Sequence, residues 1–310
     1  MLTFLARRIV AAAPVVFGVV LVVFLMLRLI PGDPAQILLF GTNATPERVA
    51  DLRAQLGLDR STVAQFGSFL GHAVQGDLGF SYSSHAPVTE EISARLPYTV
   101  NLAAGALVVA LLVGIPTGVL GGLRPGSLID KAATAFSVLG LAVPYFWLAQ
   151  LLILLFAVRL GILPALGVGG TQALVLPWLS LGLGFAAIIT RMLRAALIDV
   201  YQSPFILVAR AKGLSGTRVL FSHAFRNAAS SVTTILGLQI GNLLAGAVAT
   251  EVIFGRPGLG NYLVQQIQLK DVPTVQGIVL FIAVAYIVIN ILVDAAHGVL
   301  DPRVRKAWAA

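Results

Sequence analysis

Few of the 310 residues have the types and spacings that covalent chemistry needs. Cysteine is absent, which removes disulfides, Cys-based zinc sites and thiol nucleophiles together. The four histidines, His72, His85, His223 and His297, never form a His-x-x-x-His pair. Neither a Gly-x-Ser-x-Gly elbow nor a Gly-x-x-x-x-Gly-Lys-Ser/Thr phosphate loop occurs. ATP hydrolysis by this chain is therefore not expected, and no cofactor, metal or catalytic residue is assigned. One acid, Asp294, lies near the interior of an apolar run, with His297 three residues on. That spacing suits a snorkelling or helix-pairing carboxylate better than a catalyst.

Non-covalent chemistry is better provided for. The apolar run from Ala228 to Thr250 carries Ser230, Ser231, Thr233, Thr234, Gln239 and Asn242. Gln239 and Asn242 are three apart and share a helical face. Inside lipid such groups must turn inward. They serve either as hydrogen-bonding glue between helices or as the wall of a wet path. A peptide backbone would find both donors and acceptors on such a wall.

The stretch from Ser203 to Gly213 reads as a complete short helix. Ser203 can cap it, Pro204 suits its first position, Lys212 suits its negative end, and Gly213 can stop it. A helix of this length does not hold alone in water. Its apolar run, Phe205 to Ala209, cannot all face one stripe. The segment is expected either to lie against lipid headgroups or to dock with another protein.

These groups must be positioned by apolar helices. Hydrophobic residues make up 58% of the chain and charged ones 11%, and mean hydropathy is +0.92. An ordinary soluble chain is about a quarter charged, so a soluble enzyme and a disordered chain are both excluded. Six stretches approach the about 20 residues a spanning helix needs: Ile9 to Ile30, Val100 to Leu120, Ala132 to Val158, Ala173 to Thr190, Ala228 to Thr250 and Gly277 to Val293. The first is longer than a signal-peptide core and is followed by Pro31-Gly32-Asp33-Pro34, so it is expected to be retained. Pro116, Pro144 and Pro177 are expected to kink their spans. The repeats Gly114, Gly118, Gly122 and Gly237, Gly241 mark close helix approaches.

The net charge of +8 is distributed by topology and not gathered on one basic face, so no nucleic-acid partner is expected. With the N-terminus inside, thirteen cations fall in inner segments, among them Arg7, Arg8, Arg124, Lys131, Arg191, Arg194, Arg210, Lys212, Arg218 and Arg226. Only Asp130, Asp199 and Asp301 oppose them there. Both termini are accordingly expected in the cytoplasm. Two connections are long. The inner one, 191–227, holds the short helix. The outer one, 31–95, carries Thr45-Pro46-Glu47 as a helix start and Gly57 as a stop, then Val63, Phe66, Phe69, Leu70 and Val74 at helical spacing. It is expected to form a helical subdomain outside the membrane. The connection from Phe254 to Pro273 reads as an irregular loop punctuated by Pro257-Gly258-Leu259-Gly260.

Ala209-Arg210-Ala211-Lys212-Gly213-Leu214, then Val219-Leu220-Phe221 and His223-Ala224-Phe225-Arg226-Asn227, resembles the cytoplasmic loop of ABC importer permeases. The likeness is greatest to the B-type subunit of dipeptide and oligopeptide permeases. Leu56-Gly57-Leu58-Asp59, Gly76-Asp77-Leu78-Gly79-Phe80-Ser81, Glu251-Val252-Ile253-Phe254 and Asp301-Pro302-Arg303-Val304-Arg305 agree with it in order. The chain departs from the general form of that loop at Leu207 and Val208, which replace an acid and an alanine.

The resemblance implies an all-α, six-helix membrane subunit of the type I ABC importer permease fold. Its parts would be a tip and first helix at 1–30, the outer subdomain at 31–95, a permease core at 96–297 and a tail at 298–310. It implies a bacterial plasma-membrane protein that imports di- or oligopeptides by alternating access, surrounded by lipid. Its partners would be a second homologous permease, two ATP-binding cassette ATPase subunits and an extracytoplasmic substrate-binding protein. Ser203, Pro204, Phe205, Val208, Ala209, Arg210, Ala211, Lys212, Gly213 and Leu214 would couple to the ATPases. Gln239 and Asn242 are candidates for the path, and Arg256, Pro257 and Gly258 for contact with the binding protein. Relatives also carry nickel chelates, glutathione or haem-like cargo, and a self-contained channel or an intramembrane enzyme are the readings from other classes.

Overall fold

The computed structural model describes residues 2–29, 33–39 and 45–300; side chains at 2–7, 9, 27, 37–38, 230–238, 240 and 294–300 lie outside that description. The Pro31-Gly32 pair, the Asp301 to Arg305 run, and the side chains of Arg7, Ser230 to Thr234, Asp294 and His297 therefore fall beyond it. Among the described residues the regular structure is helical: α1 (Leu2–Leu29), α2 (Pro34–Leu38), α3 (Pro46–Gln55), α4 (Thr62–Val74), α5 (Val88–Leu123), α6 (Leu128–Ala142), α7 (Tyr145–Leu152), α8 (Gln172–Tyr201), α9 (Pro204–Ala211), α10 (Gly216–Arg218), α11 (Phe225–Ile253), α12 (Leu259–Gln268) and α13 (Val272–Leu300). Two π-helical turns, Ile153–Arg159 and Val219–Ala224, follow α7 and α10.

Among the described residues, three helices are long and apolar enough to cross a membrane: α5, α8 and the Val272–Val293 part of α13. The pair Leu128–Ala142 and Tyr145–Arg159 together reach that length, and shorter apolar stretches occur at Val10–Met26 and Gly241–Ile253. The pair bears out the kink expected at Pro144. The stretch Ala132 to Val158 is two helices that bend by 103°. Pro144 is the cause: its ring bars the α conformation at Val143, which sits at φ −88°, ψ 117°, and it offers no N–H to continue the ladder.

The chain divides into two compact units, Met1–Pro97 with Pro257–Val288, and Tyr98–Arg256 with Ile289–Ala310. In the first, Thr45 caps α3 through Arg48 N at 3.4 Å, with Pro46 at the first helical position. Gly57, at φ +66°, ends it. Phe66 of α4 rests on α1, its ring 5.0 Å from that of Phe24 and 5.7 Å from that of Phe17. Val88, Ile92, Leu259, Tyr262 and Ile278 form a small core, over which Arg95 lies with its guanidinium 3.6 Å from the Tyr262 ring. The connection from Phe254 to Pro273 is not irregular, since it contains α12.

In the second unit α8 packs against α6, α7 and α11. Leu176, Leu181 and Leu197 of α8 are fully buried. Glycines bring α5 against it. A Cβ on Gly114 would stand 2.8 Å from Ile189 Cβ, on Gly118 3.0 Å from Leu193 Cβ, and on Gly122 2.9 Å from Leu197 Cβ. The four-residue repeat is therefore a packing seam, as expected of small residues at helix contacts.

Candidate coupling helix and translocation wall

The α9 helix follows α8 after a two-residue turn. Pro204 occupies its first position, but Ser203 does not cap it: the hydroxyl donates back to the Val200 carbonyl, and no side-chain cap bond forms. The other end closes as the sequence suggests. Gly213 sits at φ +76°, Gly213 N donates to Arg210 O at 2.9 Å and Leu214 N to Ala209 O at 3.4 Å. This is the double bond pattern of a Schellman stop, which needs a residue free to adopt positive φ.

That geometry sorts the apolar run. Ile206 and Ala209 enter a cluster with Leu193, Leu197, Val219, Leu220, Ala224 and Ala228. Phe205, Leu207 and Val208 stay outside, 44%, 74% and 52% exposed. The helix is thus fixed to α8 and the start of α11 by one face and presents three large apolar side chains on the other. Arg210 lies 5.4 Å from the Tyr201 ring centroid. With Lys212, Arg191, Arg218 and Arg226, all exposed, it makes the surroundings basic.

On α11, Asn242 Nδ2 donates to Gln239 Oε1 at 2.7 Å. Asn242 is exposed and Gln239 half-buried. The two amides are therefore one coupled pair on an open face, retaining a carbonyl on Asn242 and an NH2 on Gln239 for other partners.

Arg256 lies inside the fold. It is 2% exposed, and its Nη1 donates to Gly167 O at 2.9 Å and Nη2 to Tyr98 O at 3.2 Å. Gly258 is buried as well, and of the three residues only Pro257 is exposed. Burial draws the proton affinity of the Arg256 guanidinium down, while Glu251 raises it. The side chain that sequence reasoning offered to a partner is spent on holding internal carbonyls.

Three buried acid clusters escaped the sequence reading. Glu251, fully buried, accepts from Thr99 Oγ1 at 2.6 Å. Asp130 accepts from Gly126 N at 2.8 Å and from Arg194 Nη2 at 2.9 Å. Asp271 accepts from Ser81 Oγ at 2.6 Å and from Ser83 N and Oγ, each at 3.1 Å, which ties the 77–87 connection to the start of α13. Beside it, burial and then the Asp271 charge push the Tyr82 hydroxyl up to about 12. In α12, burial and then Glu91 raise Tyr262. The partners of Glu251 and Asp271 are 152 and 190 residues away, so no local pattern could have revealed them.

Residues 114–306 match the family of binding-protein-dependent transport system inner membrane components, and residues 1–103 match the N-terminal region of the membrane components of such systems. The chain is 37% identical over 336 residues to the dipeptide transport system permease protein DppB of Escherichia coli K12, covering 98% of this chain and 99% of that protein. It is also 37% identical over 333 residues, with the same coverage, to the di/tripeptide transport system permease protein DppB of Pseudomonas aeruginosa. Among solved structures, the MetNI methionine ABC transporter in an inward-facing form aligns at TM-score 0.58 and 19% identity, covering 69% of this chain and 97% of that one. A structure of an amino acid ABC transporter aligns at TM-score 0.53 and 18% identity, over 69% of this chain and 94% of that one. The all-α architecture is thus that of the type I ABC importer permeases, and the chain belongs to the family of binding-protein-dependent transport system inner membrane components.

Proposed function

We propose that this protein is the permease subunit of an ATP-driven importer of di- or oligopeptides in a bacterial inner membrane. It would have six spans and both termini in the cytoplasm. The bent α6–α7 pair counts as one span and α1 and α11 complete the number. A second homologous permease forms the other half of the path, two ATPase subunits supply hydrolysis, and an extracytoplasmic binding protein delivers cargo. The peptide reading is supported by the names of the relatives, similar over nearly the whole chain, and by an open amide pair, Gln239 and Asn242, that suits a peptide backbone.

The observation that carries the coupling role is the division of α9. Ile206 and Ala209 anchor it, while Phe205, Leu207 and Val208 remain uncovered. Displacement of α9 by ATPase closure would pass through this anchor to α8 and α11, and the spans would reorient as packed bodies. In the outer connection Pro257 meets the binding protein, and Arg256 holds the connection's base. The test is Leu207→Asp with Val208→Asp in proteoliposomes containing the whole importer. We expect insertion to persist while ATPase stimulation and uptake are lost; uptake equal to the parent would refute the docking role.

A further inference from the structure

The α4 helix buries Phe66 against α1 but leaves a second apolar strip uncovered. At about 100° per residue, Val63, Gly67 and Val74 fall within about 40° of one another, and Gln65, Ser68 and His72 fall on the opposite side. Val63 is 81% and Val74 88% exposed, and Gly67 is exposed too. The polar side lines a cavity of about 870 Å³ within the same unit. Its groups are spent internally: Gln65 Nε2 donates to Leu58 O at 3.1 Å and Arg60 O at 2.8 Å, and Arg28 donates to Gln65 Oε1. His72 Nδ1 stands 2.7 Å from Ser68 O. The helix contains no Asp, Glu, Lys or Arg.

Its depth can be read along α1. The 20 steps from Arg8 to Arg28 rise about 30 Å, the thickness of a hydrocarbon core. Phe24 then lies about 6 Å and Phe17 about 16 Å below the plane of Arg28. Phe66 touches both rings, 5.0 and 5.7 Å away, so its place on α1 is below that plane. At the plane itself Arg28 Nη1 donates to Thr62 Oγ1 at 3.2 Å, at the start of α4. The exposed apolar face of α1, with Val22 at 54% and Met26 at 60%, belongs to the same leaflet.

We infer that α4 is seated in the leaflet that holds Arg28, its Val63, Gly67 and Val74 face against acyl chains, and is not part of a subdomain wholly outside the membrane. The polar side turns to the open cavity, away from the apolar strip, with its groups hydrogen-bonded within the unit, and satisfied polar groups are what hydrocarbon demands of a helix beside it. This rests on α1 being a span, so the test includes α1.

Because the chain has no cysteine, single Val63→Cys, Gly67→Cys, Val22→Cys and Asp51→Cys variants can carry a nitroxide in the whole importer, reconstituted in phosphatidylethanolamine–phosphatidylglycerol vesicles. Val63 is exposed, and a Cβ on Gly67 meets nothing within 4 Å, so neither label disturbs packing. Relaxation by dissolved oxygen is compared with relaxation by a water-soluble nickel chelate. We expect oxygen to dominate at 22, 63 and 67, and nickel at 51. Nickel dominance at 63 and 67 with oxygen dominance at 22 overturns the seating of α4 alone. Protection of 63 and 67 from both reagents also overturns it, showing a protein neighbour on that face. Nickel dominance at 22 removes the span and the inference together.

Discussion

Arg194 grips Asp130 with two nitrogens at once, Nη2 standing 2.9 Å from Oδ2 while Nε bonds Oδ1. The pair joins the first turn of α6 to α8, and Asp130 is 4% exposed. Removing the carboxylate leaves a guanidinium without its planar partner. Hydrogen bonds to charged groups contribute about 1.5–3 kcal/mol each. Asp130→Ala should therefore lower the melting temperature of the purified complex. The exchanged pair, Asp130→Arg with Arg194→Asp, should recover part of the loss. A melt unchanged by Asp130→Ala would show the pair to be idle.

The α5–α8 seam predicts a contrast between glycines. A methyl on Gly114 would sit 2.9 Å from the Ala186 carbonyl oxygen, whereas one on Gly184 meets nothing within 4 Å. Gly114→Ala should destabilise by about 1–3 kcal/mol through overpacking. Gly184→Ala should be neutral or stabilise by up to about 1 kcal/mol. Thermal melts of both, made in parallel, decide it.

At Gly213 the relevant quantity is the backbone. A valine there must hold φ near +76°, a conformation costing about 1–2 kcal/mol for a side chain with a Cβ. The Schellman stop should loosen and α9 lose its fixed register. We expect Gly213→Val to insert normally but to lower ATP turnover coupled to uptake, and Gly213→Asn to retain more of it. Equal coupling in all three proteins would count against a rigid α9.

Gln239→Leu separates two roles for the amide pair. If Asn242 and Gln239 line the path, the change should slow single-turnover uptake and leave complex yield intact. If they hold helices together, assembly should weaken instead, by about 0.6–2 kcal/mol per lost bond, and complex yield should fall. Both readings come from one preparation.

The Tyr82 hydroxyl offers a pH readout of the Asp271 cluster. Its acidity is weakened first by burial and then by the Asp271 charge, so its value stands at about 12. Asp271→Asn removes a negative neighbour, so the tyrosinate should form at lower pH, short of the unperturbed value because burial persists. The sign is fixed: a downward shift supports the contact. An upward shift or none in the tyrosinate difference spectrum against Tyr82→Phe would contradict it.

Much of the fold is legible along the chain because its signals are local. Thr45 and Pro46 start α3, Gly213 ends α9, and Gly114, Gly118 and Gly122 mark one helix face. The misreadings have physical causes. Pro144 announces a kink in Ala132 to Val158, but hydropathy sums over a window and is blind to direction, so the size of the turn, 103°, could not be read. The glycines at 258 and 260 hid α12, the first as its N-cap and the second in its first turn. Arg256 looked like a surface charge because its acceptors, Gly167 O and Tyr98 O, are backbone atoms with no sequence signature.

The corner at Pro144 also constrains hydration. A helix that stops and restarts there leaves the Gly140 carbonyl without its usual donor and the first N–H groups of α7 without helical acceptors. Hydrocarbon cannot satisfy such groups, so broken backbone at membrane depth persists only beside water or protein. Leu141, Phe146 and Trp147 around the corner are 43–48% exposed on the isolated chain. If α6 and α7 make one span, as proposed, this elbow must face water or another polypeptide at its broken backbone, while its exposed apolar side chains can still meet lipid.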